Sequence, residues 1–163
     1  MMDFLVHLAT IITPIVLGFG FYFGWKQIVA LKKARMAQII LMLNERWDSE
    51  YLEKSRQKLN ETGSASNIKD AIIKAEKENS NDLYLLIRVG NFYDTVGGLV
   101  HEGYLDKNIA YELMGKGCEF YKNKYSQILT DPDRKVFFKC FIDLDEIFTK
   151  IKASRSKTKA RSI

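Results

Sequence analysis

The chain has 163 residues, with 25 Lys+Arg against 20 Asp+Glu, 47% hydrophobic residues, two Cys and two His. That length suits one domain and excludes a two-domain enzyme, while the Cys and His counts exclude a disulfide scaffold and a Cys/His zinc ribbon. Two Pro and ten Gly argue against a turn-rich β-sandwich.

From Phe4 to Trp25 the residues read FLVHLATIITPIVLGFGFYFGW, 22 positions without a formal charge. A helix of that length rises about 33 Å, which matches the hydrocarbon core of a bilayer. A cleaved signal would carry a basic start, a shorter apolar run and a small-residue cleavage site. Here Asp3 precedes the run and Lys26 follows it, so a retained membrane helix is expected. Tyr22 and Trp25 suit the interfacial aromatic belt, and Lys26, Lys32, Lys33 and Arg35 lie just beyond. The positive-inside rule then predicts a single-pass protein with its amino terminus outside and residues 26–163 in the cytoplasm. The competing reading, a buried helix in a soluble core, would need a core that covers the helix on all sides.

Thr10, Thr13, Leu17, Gly20 and Gly24 recur three or four residues apart, and Gly20 and Gly24 form a GxxxG pair. Such a stripe lets two backbones approach closely, which makes these five residues the candidate surface for homo-oligomerisation. His7 flanks the stripe, either as an ion site or as a solvated residue near the outer interface.

Beyond the membrane segment, Met36, Ile40, Leu43 and Trp47 share one helical face, and Asp48 or Ser49 is the N-cap of a helix carrying Leu52, Ser55 and Leu59. Residues 60–67, NETGSASN, read as an exposed loop. A short helix with Ile68, Ala71, Ile72 and Ala75 follows, and Asn79-Ser80-Asn81 breaks it. Leu83, Leu86, Val89, Tyr93, Val96 and Val100 then mark the central helix, where Gly97-Gly98 predicts a close crossing or a bend. Gly103 is its stop and Asp106 the next cap. Ile109, Leu113, Gly117, Phe120 or Tyr121 and Ile128 define the following face, and Asp131-Pro132-Asp133 signals the start of the last helix, with Phe137, Cys140 or Phe141, Leu144, Ile147 or Phe148 and Ile151 inward. No stretch alternates as a half-buried strand would. The expected fold is all-α: one transmembrane helix and an irregular cytoplasmic bundle of about five or six helices.

Residues 26–35 hold four basic groups and no acid, residues 150–163 hold six and no acid, and residues 36–149 hold 15 bases against 19 acids. The expected organisation is a membrane helix within 1–25, a basic juxtamembrane linker at 26–35, either a separate segment or a helix continuous with the span, a helical domain at 36–152 and a disordered basic tail at 153–163. Lys32, Lys33, Arg35, Arg155, Lys157, Lys159 and Arg161 are candidate contacts to anionic lipid, and a merely solubilising tail is the alternative. Nucleic acid would use the same charges but is disfavoured with a bilayer adjacent.

Catalytic signatures are missing. His101 stands at a helix end and His7 in the membrane run, so a His-based triad or multi-His metal site does not assemble. Cys118 and Cys140 read as small core residues in a reducing compartment. Asp94, Asp143, Asp145 and Glu146 lack the E-x-x-H partner of di-metal bundles and read as a solvated acidic face. Arg46, Arg56 and Arg88 have acidic neighbours and are expected in ion pairs. No cofactor is expected.

The run RMAQIILMLNERWDSEYLEKSRQKL and the later FYDTVGGLVHEGYLDKNIAYELMGKGCEFYKNKYSQI resemble a bacterial family described only as a domain of unknown function, across residues 35–150. Trp47, Ser49, Glu50 and Arg56 match its turn and Arg-bearing helix; Tyr93-Asp94, Gly98-Leu99-Val100 and Gly103-Tyr104-Leu105-Asp106 match its later steps. Asp94 stands where that family often has Glu, and Tyr121-Lys122 where it often has Tyr-Trp. The resemblance implies a helical, membrane-tethered protein without an assigned activity. The leading expectation is a single-pass protein of the bacterial inner membrane whose helical domain acts as a binding, scaffold or sensor module, and which self-associates, touches lipid and meets an unidentified protein partner. An oligomeric, pore-forming or membrane-perturbing effector of defence or toxin type is the second reading. An enzyme at the membrane surface is the third, and it would use Arg56, Tyr93, Asp94 and His101 as its ligand surface.

Overall fold

The computed structural model describes the backbone of residues 2–160 and the side chains of residues 16–157, and every regular element among them is helical. In chain order these are α1 (Met2–Trp47), α2 (Glu50–Thr62), α3 (Ala65–Lys77), α4 (Asp82–His101), α5 (Lys107–Leu129), a 3-10 turn at Lys135–Phe138, and α6 (Lys139–Ala160). The chain divides into two compact units, one ending at Gln38 and the other beginning at Ile39.

In the first unit α1 continues without a break through residues 26–35, so the basic linker is helical. Val16, Leu17, Phe19, Phe21, Phe23, Trp25 and Leu31 are all exposed, Phe21 by 78% and Trp25 by 69%. At 100° per residue these positions, with the exposed Tyr22, surround the helix with no gap wider than about 60°. Among the described residues no helix is long and apolar enough to cross a membrane. The expected span begins at Phe4, and its side chains up to residue 15 lie outside the described residues.

The second unit starts from local signals that the sequence makes plain. The Ser49 hydroxyl accepts from the Leu52 amide at 3.4 Å and donates to the Arg46 carbonyl at 2.6 Å, so one residue closes α1 and opens α2. Leu52, Ser55 and Leu59 are buried as their spacing requires, and Ser55 satisfies its hydroxyl by donating to the Tyr51 carbonyl at 2.8 Å. The expected loop at 60–67 shrinks to Gly63 and Ser64. Gly63 takes a φ of +90° to stop α2, and Ser64 accepts from the Asn67 amide at 3.3 Å to start α3. The small polar residues around them lie on helix surface and need no apolar side chain.

Helix α4 is the centre, packed mainly on α6 and α2, with Leu86, Val89, Phe92, Tyr93 and Val96 buried. The predicted close crossing rests on Gly97 alone: a Cβ there would lie 2.0 Å from the Cys140 carbonyl oxygen, whereas one on Gly98 meets nothing within 4 Å. A Cβ on Gly90 would lie 2.6 Å from the Phe138 ring. Asp106 caps α5 as read, accepting from the Asn108 and Ile109 amides at 2.8 and 3.2 Å.

Helix α5 is rotated from the expected face. Ala110, Met114, Cys118, Tyr121, Tyr125 and Ile128 are buried, while Ile109, Leu113 and Phe120 are exposed. Two adjacent apolar stripes compete on this helix, and the one with two tyrosines buries more area. Gly117 fixes the rotation, because a Cβ there would lie 2.3 Å from the Tyr93 hydroxyl.

Asp131-Pro132-Asp133 opens a turn rather than α6. The Asp131 carboxylate accepts from the Asp133 amide at 3.1 Å, its carbonyl accepts from the Arg134 and Lys135 amides, and the 3-10 turn follows. Phe137 is consequently 74% exposed instead of inward, and Phe138 takes the core position. The first turn of α6 receives its cap from α4: the Phe141 amide donates to Asp94 Oδ1 at 3.0 Å. Phe141, Leu144, Phe148 and Ile151 are buried as read. The segment from residue 153, expected to be disordered, continues α6 to Ala160, held in part by an Arg155–Glu112 ion pair to α5.

Candidate functional site

Of the four residues of the expected ligand surface, Arg56 and Tyr93 both pack on Trp47, while Asp94 turns to α6 and His101 stands at the carboxyl end of α4. Arg56 stacks its guanidinium 4.6 Å from the Trp47 ring and donates to the Trp47 carbonyl at 2.7 Å, pinning the end of α1 to α2. Tyr93 is buried against Trp47, Tyr121 and Phe141, and desolvation pushes its phenol well above the usual range. Asp94 is engaged on the α6 amide, and His101 is exposed at the carboxyl end of α4. Tyr93 and Asp94 are successive helical positions and face different neighbours. Arg88 likewise lies over a ring, 5.2 Å from the Tyr51 centroid, rather than in the expected ion pair.

Of the oligomerisation stripe, Leu17, Gly20 and Gly24 share a shallow apolar groove along α1 with Val16, Phe21, Trp25 and Ile28. Nothing approaches within 4 Å of a Cβ on Gly20 or Gly24. The side chains of Thr10 and Thr13 lie outside the described residues, as do those of His7, Lys159 and Arg161. Lys32, Lys33 and Lys157 are exposed, whereas Arg155 is committed to Glu112 and to the Tyr111 ring at 5.0 Å.

Sequence reasoning missed an apolar cavity of about 280 Å³ between α3, α4, α5 and the 3-10 turn. Ile72, Ile128 and Phe138 are buried and form its floor, with Leu83 and Ile87 of α4 on the wall. At its mouth Arg134 donates Nη1 to Glu76 Oε1 at 2.6 Å and Nη2 to Oε2 at 2.5 Å, a two-pronged pair between the 3-10 approach and α3. The Arg134 hydrogen bonds hold the Glu76 carboxyl below the usual carboxylate range. A second pair, Lys69 with Asp131 at 3.1 Å, ties the same connection to α3.

The wall of α4 is shaped from behind by Tyr125. Its buried hydroxyl donates to the Leu86 carbonyl and accepts from the Gly90 amide at 3.3 Å, so it sits on both ends of one helical turn. Gly90 then leaves room for Phe138. Glu76 and Arg134 are 58 residues apart in the chain, and no motif links them; only the Asp131-Pro132-Asp133 turn beside Arg134 draws attention to the segment.

None of these side chains is poised for covalent chemistry. Burial pushes the Cys118 thiol up to about 12, which leaves it neutral at physiological pH, and Cys140 is raised for the same first reason. Among the described residues no group of three or more His, Cys, Asp or Glu could hold a metal ion. The acidic face read from the sequence is spent on structure in part: Asp145 pairs with Lys122 at 2.6 Å and Asp94 caps α6.

The arrangement defines an all-helical protein with an apolar-surfaced amino-terminal helix and a pocketed bundle. The chain belongs to the family "Domain of unknown function (DUF4760)", which it matches over residues 3–138. That span extends toward the amino terminus from the stretch 35–150 to take in nearly all of α1, and it stops before α6. No curated protein and no solved structure matches the chain.

Proposed function

We propose that the chain is a single-pass membrane protein whose cytoplasmic helical domain acts by binding, as a sensor or scaffold, and self-associates through α1. The observation that carries this reading is the outward-facing apolar circumference of α1 from Val16 to Leu31, next to an uncharged run reaching back to Phe4. In water this much contiguous apolar surface is unfavourable at roughly 25 cal/mol per Å², and a bilayer removes that cost. Lys32, Lys33 and Arg35 then follow where the positive-inside rule wants them. The groove over Gly20 and Gly24 supports pairing with a second copy, and it equally suits the effector reading, in which paired helices perturb the bilayer.

Extraction of bacterial membranes carrying the full chain tests the reading. Retention in the pellet at alkaline pH, with protease added outside sparing residues 26–163, is the expected result. Release by carbonate would overturn it. Ion leakage on expression, abolished by Gly20→Leu/Gly24→Leu, would select the effector reading over the tethered binder.

A further inference from the structure

We propose that the cavity between α3, α4, α5 and the 3-10 turn is a binding site for an aliphatic carboxylate of medium chain length. The alkyl chain would lie among Ile72, Leu83, Ile87 and Ile128, and its carboxylate would take the place of Glu76 on Arg134. Three observations carry the assignment. The floor and walls are aliphatic or aromatic, so the buried part of a ligand there must be apolar. The mouth holds one cation, Arg134, and that guanidinium already grips a carboxylate with both prongs, which displays the recognition geometry with the protein's own side chain as stand-in. The size suits the assignment: about 280 Å³ leaves room for an alkyl chain of several carbons, more than acetate would fill.

The Glu76–Arg134 pair also gives the site a built-in competitor. A ligand carboxylate must displace Glu76, whose side chain is 40% exposed and can turn into water, while Arg134, at 24%, stays at the rim. Phe137, exposed beside the mouth, is free to fold over the tail. The assignment deepens the binding role proposed above but does not depend on membrane insertion, so the two can fail separately.

The test is isoleucine methyl NMR of the full chain in lipid nanodiscs at neutral pH, titrated with octanoate, octanol and acetate. Octanoate is expected to shift the Ile72, Ile87 and Ile128 methyls saturably, octanol at least tenfold more weakly, and acetate not at all. Glu76→Gln should tighten octanoate severalfold by freeing the guanidinium, the opposite of what a purely structural pair would do. Arg134→Gln should reduce octanoate to the level of octanol. Should that variant unfold, Asn91→Asp, an exposed change at the same mouth, must weaken octanoate and spare octanol. Equal binding of octanoate and octanol, weaker octanoate in Glu76→Gln, or shifts confined to Ile28 of α1 would each overturn the proposal.

Discussion

Helix α1 between Val16 and Leu31 and helix α4 between Asp82 and His101 are similarly rich in apolar residues, but they face opposite environments. Leu86, Val89, Phe92, Tyr93 and Val96 of α4 are buried by other parts of the same chain, whereas the large apolar side chains of α1 face outward. Glycines separate them in the same way. Gly90 and Gly97 are places where α4 is approached within contact distance, and Gly20 and Gly24 meet nothing of their own chain. Apolar content therefore does not say where a helix goes. What buries α4 is a complementary surface supplied by α2 and α6 within its own unit.

The largest expected break in this comparison is deletion of everything after Phe138, where the family match ends. It removes Phe141, Leu144, Phe148 and Ile151, each buried and each contributing about 1.5–3 kcal/mol, out of a total stability on the order of 5–15 kcal/mol. The truncated chain should lose its cooperative urea transition. A retained transition, read by circular dichroism, would mean that α4 does not need α6.

Next in size is the contrast between two glycines. Gly97→Ala places a methyl against the Cys140 backbone, so α4 and α6 must part, at a cost of about 1–3 kcal/mol in unfolding free energy measured by urea titration of the bundle. Gly20→Ala should change that free energy by less than about 0.5 kcal/mol. Equal effects would erase the distinction between a helix packed on its own chain and one that is not.

The smallest effect sharpens the bundle side alone. Glu76 and Asp131 are held below the ordinary carboxylate range, Glu76 by Arg134 and Asp131 first by Lys69. Their contribution is therefore present above the unfolded carboxylate values and is lost as pH falls through the folded ones. Stability should drop between about pH 5 and about pH 2, more steeply in the wild type than in Glu76→Gln/Asp131→Asn. Parallel curves would remove these pairs from the account of how the α5–α6 connection is held.

Much of the bundle was legible in local chemistry. Ser49, Gly103 and Asp106 act where a serine, a glycine and an aspartate stop or start helices by their own hydrogen bonds or backbone freedom, and the Leu52/Ser55/Leu59 face follows from spacing alone. The failures share one cause. On α5 both Ile109/Leu113/Phe120 and Met114/Tyr121/Tyr125 have helical spacing, and only the fit of Gly117 against Tyr93 chooses between them. The structural partners of the expected ligand surface were equally invisible, because Arg56 meets a ring and a carbonyl and Asp94 a helix end, and both are set by distant packing.

The sequence by itself determined the helical class, the order of the helices and the caps that bound most of them, because those depend on interactions within four or five residues. It also determined that one helix is apolar around its circumference. Tertiary structure alone decided which face of α5 is inward, that α6 is capped by Asp94, and that Glu76 and Arg134 meet over an apolar cavity. Those outcomes depend on which of several acceptable surfaces fit together, and fit between distant segments leaves no local trace in the chain.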